Sequence, residues 1–128
     1  MFEDIDAIAT LAVRDLHSAR RFYEQTLGLT PVDAQGDEVI VYRCGRSALN
    51  VYRSQFAGTN KATAVTFNVG GGIDALVTSL KAKGVTFEHY DMPGLTRQGD
   101  LHVCGGMKVA WFKDPDGNII NLHSGGNP

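Results

Sequence analysis

Ile8-Ala9-Thr10-Leu11-Ala12-Val13 and Ala64-Val65-Thr66-Phe67-Asn68-Val69 decide the fold of this chain, because the second stretch restates the first. Each leads into a helix-forming run closed by a glycine, Leu27-Gly28-Leu29 in one case and Lys83-Gly84-Val85 in the other. Val13 to Val69 and Gly28 to Gly84 are both separated by 56 residues. Further on, Ser47-Ala48-Leu49-Asn50-Val51-Tyr52 is answered by Asn118-Ile119-Ile120-Asn121-Leu122-His123 at an offset of 71, so the second copy holds 15 extra residues between about Glu88 and Lys108. A duplicated unit implies two modules of one architecture, whose equivalent positions are read in pairs.

The local signals predict a βαβββ order in each half. Ile8 to Val13 alternates and favours a strand, Asp15 is an N-cap, and Leu16, Ala19, Phe22, Tyr23 and Leu27 form an apolar helical stripe that Gly28 ends. The second helix repeats this with Ile73, Leu76, Val77 and Leu80, then Gly84. Gly36-Asp37, Cys44-Gly45-Arg46 and Asp114-Pro115-Asp116-Gly117-Asn118 read as turns, the last joining two strands as a hairpin. The expected fold class is α+β, one domain over residues 1–128 built from modules at about 5–53 and 62–124, with Arg53 to Ala62 as connection and a frayed tail from Ser124.

Composition narrows the partners. The 128 residues are 43% hydrophobic and 20% charged, with a net charge of -2 and no basic stripe, so no nucleic acid is expected. No apolar run of about 18 residues is present, and Met1-Phe2-Glu3-Asp4 lacks the features of a signal peptide, so no membrane and a cytoplasmic location are expected. Cys44 and Cys104 lack metal or redox spacing and read as reduced thiols.

Val13-Arg14-Asp15-Leu16, Ala19, Phe22-Tyr23-Glu24 and Leu27-Gly28-Leu29, followed by Trp111-Phe112-Lys113-Asp114-Pro115-Asp116-Gly117-Asn118, carry a resemblance across essentially the whole chain. The sequence resembles the vicinal oxygen chelate superfamily, the group of glyoxalase I, bleomycin resistance proteins, fosfomycin resistance enzymes and extradiol dioxygenases. That resemblance implies two tandem βαβββ modules forming a curved eight-stranded mixed sheet around a cavity, with helices on the convex side, and a homodimer. It also implies where metal-dependent members place His or Glu: the start of each module's first strand and each module's last strand, here Ile8, Asn50, Ala64 and Asn121. None is a usual ligand. No metal and no cofactor are therefore expected, nor glyoxalase I or dioxygenase activity, and the chain resembles the metal-free bleomycin resistance proteins more than the lyases.

Strand alternation then sorts the side chains. If those four positions face the cavity, so do Thr10, Ala12, Ala48, Tyr52, Thr66, Asn68, Ile119 and His123, while Leu11, Val13, Leu49, Val51, Val65, Phe67, Val69, Ile120 and Leu122 face the helices. One of Trp111 and Phe112 must also face inward. The expected binding residues are Thr10, Asn50, Tyr52, Thr66, Asn68, Trp111, Asn121 and His123, a mixture of rings, amides and hydroxyls suited to a partly aromatic metabolite or antibiotic. No inward cluster of Lys or Arg is apparent, which disfavours a phosphate-rich ligand. The alternative is a lyase, isomerase or dioxygenase-like enzyme using His89, His102, His123 or a loop carboxylate, or a metal held by an unconventional set of these groups. Two His and a carboxylate clustered at one cavity would favour the enzyme, and dispersal would favour binding. By position alone His17, His102 and Arg97-Gln98-Gly99-Asp100 read as solvated polar content, Cys104 as inert, and the insert Asp91 to Gly106 as a cover for one cavity mouth.

Overall fold

A computed structural model describes residues 1–125. The chain divides into two compact units, one spanning Met1–Thr59 and the other beginning at Asn60. The first contains β1 (Ala9–Val13), α1 (Leu16–Arg20), β2 (Thr30–Gln35), β3 (Val39–Cys44) and β4 (Ser47–Arg53). Its four-stranded sheet runs β1-β4-β3-β2, with β1 parallel to β4 and the others antiparallel.

Asp15 starts α1 as expected: its carboxylate accepts from the backbone N–H groups of His17 and Ser18. The helix then widens into a π-helical turn over Arg21–Thr26, which the 3.6-residue stripe did not foretell. Tyr23 is fully buried and stacks on Tyr42, whose hydroxyl donates to Glu24 Oε2 at 2.8 Å. Burial, first, and that carboxylate, second, hold the Tyr42 phenol protonated. Gly28 ends the segment at φ +73°, a conformation that costs a side-chain-bearing residue.

The second unit contains β5 (Thr63–Asn68), α2 (Ile73–Ala82), β6 (Phe87–Glu88), β7 (Thr96–Gln98), β8 (Leu101–Cys104), β9 (Met107–Lys113) and β10 (Ile119–His123). Its main path is β5-β10-β9-β8-β7, with β6 also pairing with β9 and β5 parallel to β10. The α+β architecture of tandem βαβββ modules is present, with ten strands in two sheets among the described residues rather than eight in one. The place held by continuous β2 in the first unit is shared in the second: β6 pairs with the Trp111–Phe112 end of β9 and β8 with the Met107–Val109 end. The chain between them is the extra sequence, and β7 is its outer rung on β8.

The expected two-faced pattern is observed in β1, β4 and β5, whereas β10 is buried on both faces, with Ile119 and Asn121 buried as well as Ile120 and Leu122. Leu11, Val13, Leu49, Val51, Ile120 and Leu122 are buried, and Val65, Phe67 and Val69 half-buried, whereas Thr10, Tyr52, Thr66 and Asn68 are exposed. Phe112 packs edge-on against Phe87 on the helix side, where α2 buries Ile73, Val77 and Leu80. Ser124 is not frayed, since its backbone N–H donates to the Lys108 carbonyl and its hydroxyl accepts from the Lys108 N–H. Gly126 to Pro128 lie outside the described residues.

Candidate functional site

In the second unit the β-ladders set Thr66 opposite Asn121, Asn121 opposite Trp111, and Trp111 opposite Glu88. Directly paired residues share a sheet face, so these four form one row across the open face. What holds this row in register is the turn after β9. The buried Asp114 carboxylate accepts through Oδ1 from the backbone N–H groups of Asp116 and Asn118, and through Oδ2 from the Asn118 side-chain amide. Pro115 supplies the fixed φ and Gly117 takes φ +90°, closing the hairpin that aligns Trp111 with Asn121.

Trp111, not Phe112, is the ring on the open face, and it is 7% exposed. Its Nε1–H donates to Thr63 Oγ1 at 3.2 Å, Tyr90 meets it edge-on at 5.2 Å between ring centres, and His102 does the same at 4.9 Å. Val109 and Ile119 flank it, and Leu95 and Met107 pack against the same cluster. The inserted segment therefore folds over the Trp111 face. Its outer end is tied to α2, where Lys81 Nζ lies 2.7 Å from Asp100 Oδ2 while His89 Nε2 lies 2.8 Å from Asp100 Oδ1. The Lys81 ammonium, then His89, lowers the Asp100 pKa.

His102 departs from the sequence reading. It lies on β8 with 1% exposure rather than in solvated loop, and its Nε2 accepts from the Tyr90 backbone N–H at 3.0 Å. Burial, followed by the nearby His89, lowers its pKa; the Val109 backbone opposes this slightly without giving Nδ1 a partner in hydrogen-bonding geometry. Tyr90 Oη is likewise buried without a hydrogen-bond partner among the described residues. No local signal marked His102 as buried, since Cys104, two residues on and on the same face of β8, is exposed. Asp100 was also read as solvated, and its two ion-pair partners correct that.

The remaining expected binding residues fall on open sheet faces. Thr10 pairs with Asn50 across β1 and β4, with Asn50 half-buried and Tyr52 38% exposed. Thr66 and Asn68 are exposed, and Asn68 Oδ1 accepts from the Gly70 N–H. Asn121 is buried and donates from Nδ2 to the Ala110 carbonyl at 3.2 Å, and His123 Nδ1 accepts from the Gly125 N–H. Arg43 and Arg46 were missed: Ile40 and Tyr42 are buried, so alternation leaves Arg43 on the open face, and both arginines line a hollow with Ile8 and Ala48.

The donor set at the superfamily's metal-ligand positions does not fit a divalent ion. Ile8 and Ala64 carry no donor atom, and Asn50 and Asn121 offer neutral amides, one already engaged with the backbone. Among the described residues no three His, Cys, Asp or Glu side chains are placed to hold a metal. His89, Asp100 and His102 do lie together, with the two imidazole centres 6.2 Å apart, whereas His17 is exposed elsewhere and His123 is capped by Gly125. Cys104 is exposed on β8 and Cys44 half-buried, with its thiol pKa raised by burial. Among the described residues no helix is long and apolar enough to cross a membrane.

Known proteins share this architecture. A lactoylglutathione lyase from Agrobacterium tumefaciens superposes with a TM-score of 0.71 at 20% identity, over 95% of this chain and 94% of that one. A glyoxalase family protein from Enterococcus faecalis gives 0.72 at 20% identity, over 96% and 99%. The fosfomycin resistance protein FosX from Mesorhizobium loti gives 0.70 at 16% identity, over 98% and 95%. At these identities the likeness establishes the fold. The sequence profile of one family matches residues 5–122, which span both duplicated modules and the Asp114–Asn118 turn. This chain belongs to the Glyoxalase/Bleomycin resistance protein/Dioxygenase superfamily.

Proposed function

We propose that this chain is a metal-independent small-molecule-binding protein of the glyoxalase/bleomycin resistance type, and that its ligand is a partly aromatic metabolite or antibiotic. The observation that carries the reading is the chemistry at Ile8, Asn50, Ala64 and Asn121, which replaces charged donors with two hydrocarbons and two amides. Lewis-acid catalysis contributes several kcal/mol of transition-state stabilisation that neutral amides do not supply. What the second unit offers instead is an aromatic nest. Tyr90, His102 and Trp111 surround one another beside Asn121, and among the described residues Tyr90 Oη and His102 Nδ1 have unmatched hydrogen-bonding capacity. Thr66, Asn68 and His123 extend that face, while Thr10, Asn50 and Tyr52 present the corresponding groups on the first unit. The inserted segment covers Trp111, so a ligand that stacks on the indole enters by displacing Leu95 or Tyr90. A loop this long in a compact unit suits that role.

A second reading, an acid–base enzyme, is favoured by the His89–Asp100 contact beside His102. Lys81 on the other Asp100 oxygen and Tyr90 N–H on His102 Nε2 support a fastening role for the same groups. Metal analysis after dialysis, combined with a thermal-shift screen of neutral aromatic compounds followed by Trp111 emission, separates the readings. Binding by metal-free protein is the expected result. Stoichiometric divalent metal that survives dialysis, or turnover abolished by His89→Gln, overturns it.

A further inference from the structure

Another hollow, confined to the first unit, has a different chemistry. It encloses about 360 Å³ and is lined by Asp6, Ala7, Ile8, Val32, Arg43, Arg46, Ser47 and Ala48, a size at the lower end of metabolite pockets. The sheet explains why these residues meet. Arg43 stands opposite Ala48, and Ala9 opposite Leu49, which brings Ile8 beside Ala48 at the mouth of β1. Val32 lies at the register shift between Pro31 and Asp33. Ile8 and Val32 remain 51% and 49% exposed, an apolar floor next to two guanidinium groups.

Those guanidiniums are unlike the neighbouring ones. Arg20 is paired with Glu24 and Arg53 with Glu38, whereas neither Arg43 nor Arg46 has an ion-pair or hydrogen-bond partner among the described residues. Ser47 spends its hydroxyl proton on the Cys44 carbonyl, which leaves the arginines as the side-chain donors of the hollow. Two arginines against Asp6 give the lining one excess positive charge. A single negative charge balances it, and a guanidinium fork matches the two coplanar oxygens of a carboxylate.

We propose that this hollow binds a small organic monocarboxylate, with Arg43 and Arg46 on the carboxylate and Ile8, Val32 and Ala48 against its apolar body. The site is independent of the Trp111 nest, and its ligand need not be the one proposed there.

Calorimetric titration with benzoate tests it, using benzamide and phenyl phosphate as comparators. Backbone amide NMR shifts at Ile8 and Ser47 locate the binding, and circular dichroism verifies that each variant is folded. Benzoate should bind at millimolar concentration or below, at least tenfold more tightly than benzamide and more tightly than the phosphate. Arg43→Met or Arg46→Met should weaken it tenfold or more, while Arg53→Met leaves it unchanged. Absence of benzoate binding, equal binding of benzamide, preference for phenyl phosphate, or indifference to both hollow variants overturns the proposal. Neutral aromatic ligands that quench Trp111 emission in the Arg43→Met protein leave the Trp111 reading standing when this one fails.

Discussion

Replacing Asp114 by Ala should be among the most damaging single changes outside the apolar core. The carboxylate accepts at least three hydrogen bonds, two from backbone N–H groups and one from the Asn118 amide. Bonds to a charged acceptor contribute about 1.5–3 kcal/mol each, but they are not additive, and the half-buried Asp116 N–H can turn to water. Asn118 is only 8% exposed, so water replaces poorly the two bonds that its backbone N–H and side-chain amide donate to Asp114. A loss of about 3–4 kcal/mol follows, from two buried donors at about 1–3 kcal/mol each plus the weakened turn. For a chain of this size that lowers Tm by roughly 10–15 °C. Asp114→Asn should cost only about 1–2 kcal/mol, because Oδ1 still accepts both backbone bonds and rotating the Asn118 amide restores the third. Urea unfolding with hydrogen exchange at Asn118 and Asn121 measures both variants. If Asp114→Ala loses less than about 1 kcal/mol, or if the two variants are equally destabilised, the turn does not depend on this carboxylate and the argument for how Asn121 is placed fails.

Other outcomes follow from the same geometry. The His102 pKa is lowered by burial, so the unfolded chain takes the proton first: stability from its neutral form is complete above the ordinary value of 6.5 and is lost as pH falls through the folded value. Thermal unfolding from pH 8 to 4 should therefore fall less steeply in His102→Gln than in the parent, and parallel curves would contradict this. Asn121→Leu should weaken an aromatic ligand found by the Trp111 emission screen by about 1–3 kcal/mol, since its polar group loses a partner in a dry site; unchanged affinity would remove Asn121 from the binding face. The superfamily resemblance and the strand edge at β5 lead us to propose a homodimer, to be checked by light scattering, with a concentration-independent monomer mass as the refuting result.

The duplication at 56 residues, the Asp15 cap, Gly28, Gly84 and the Asp114–Asn118 turn are local signals, and a local signal is legible without coordinates because its physics acts within a few residues. The alternation in β1, β4 and β5 belongs to the same class, since a period of two assigns faces wherever a strand exists. For that reason the α+β class could be read from the chain, while the tandem-module sheet and the choice of Ile8, Asn50, Ala64 and Asn121 as metal-ligand positions came from the superfamily resemblance. His102, Asp100, Arg43 and Arg46 could be placed by neither. Whether His102 is buried depends on β8 taking the place beside β9 that β6 leaves open, and Asp100 meets Lys81 only because the insert folds back toward α2. Arg43 and Arg46 become a pair only when four strands stand side by side and bring Ile8 and Val32 to the same hollow. These placements depend on contacts between residues distant in sequence, and a polar side chain's chemistry follows from what surrounds it.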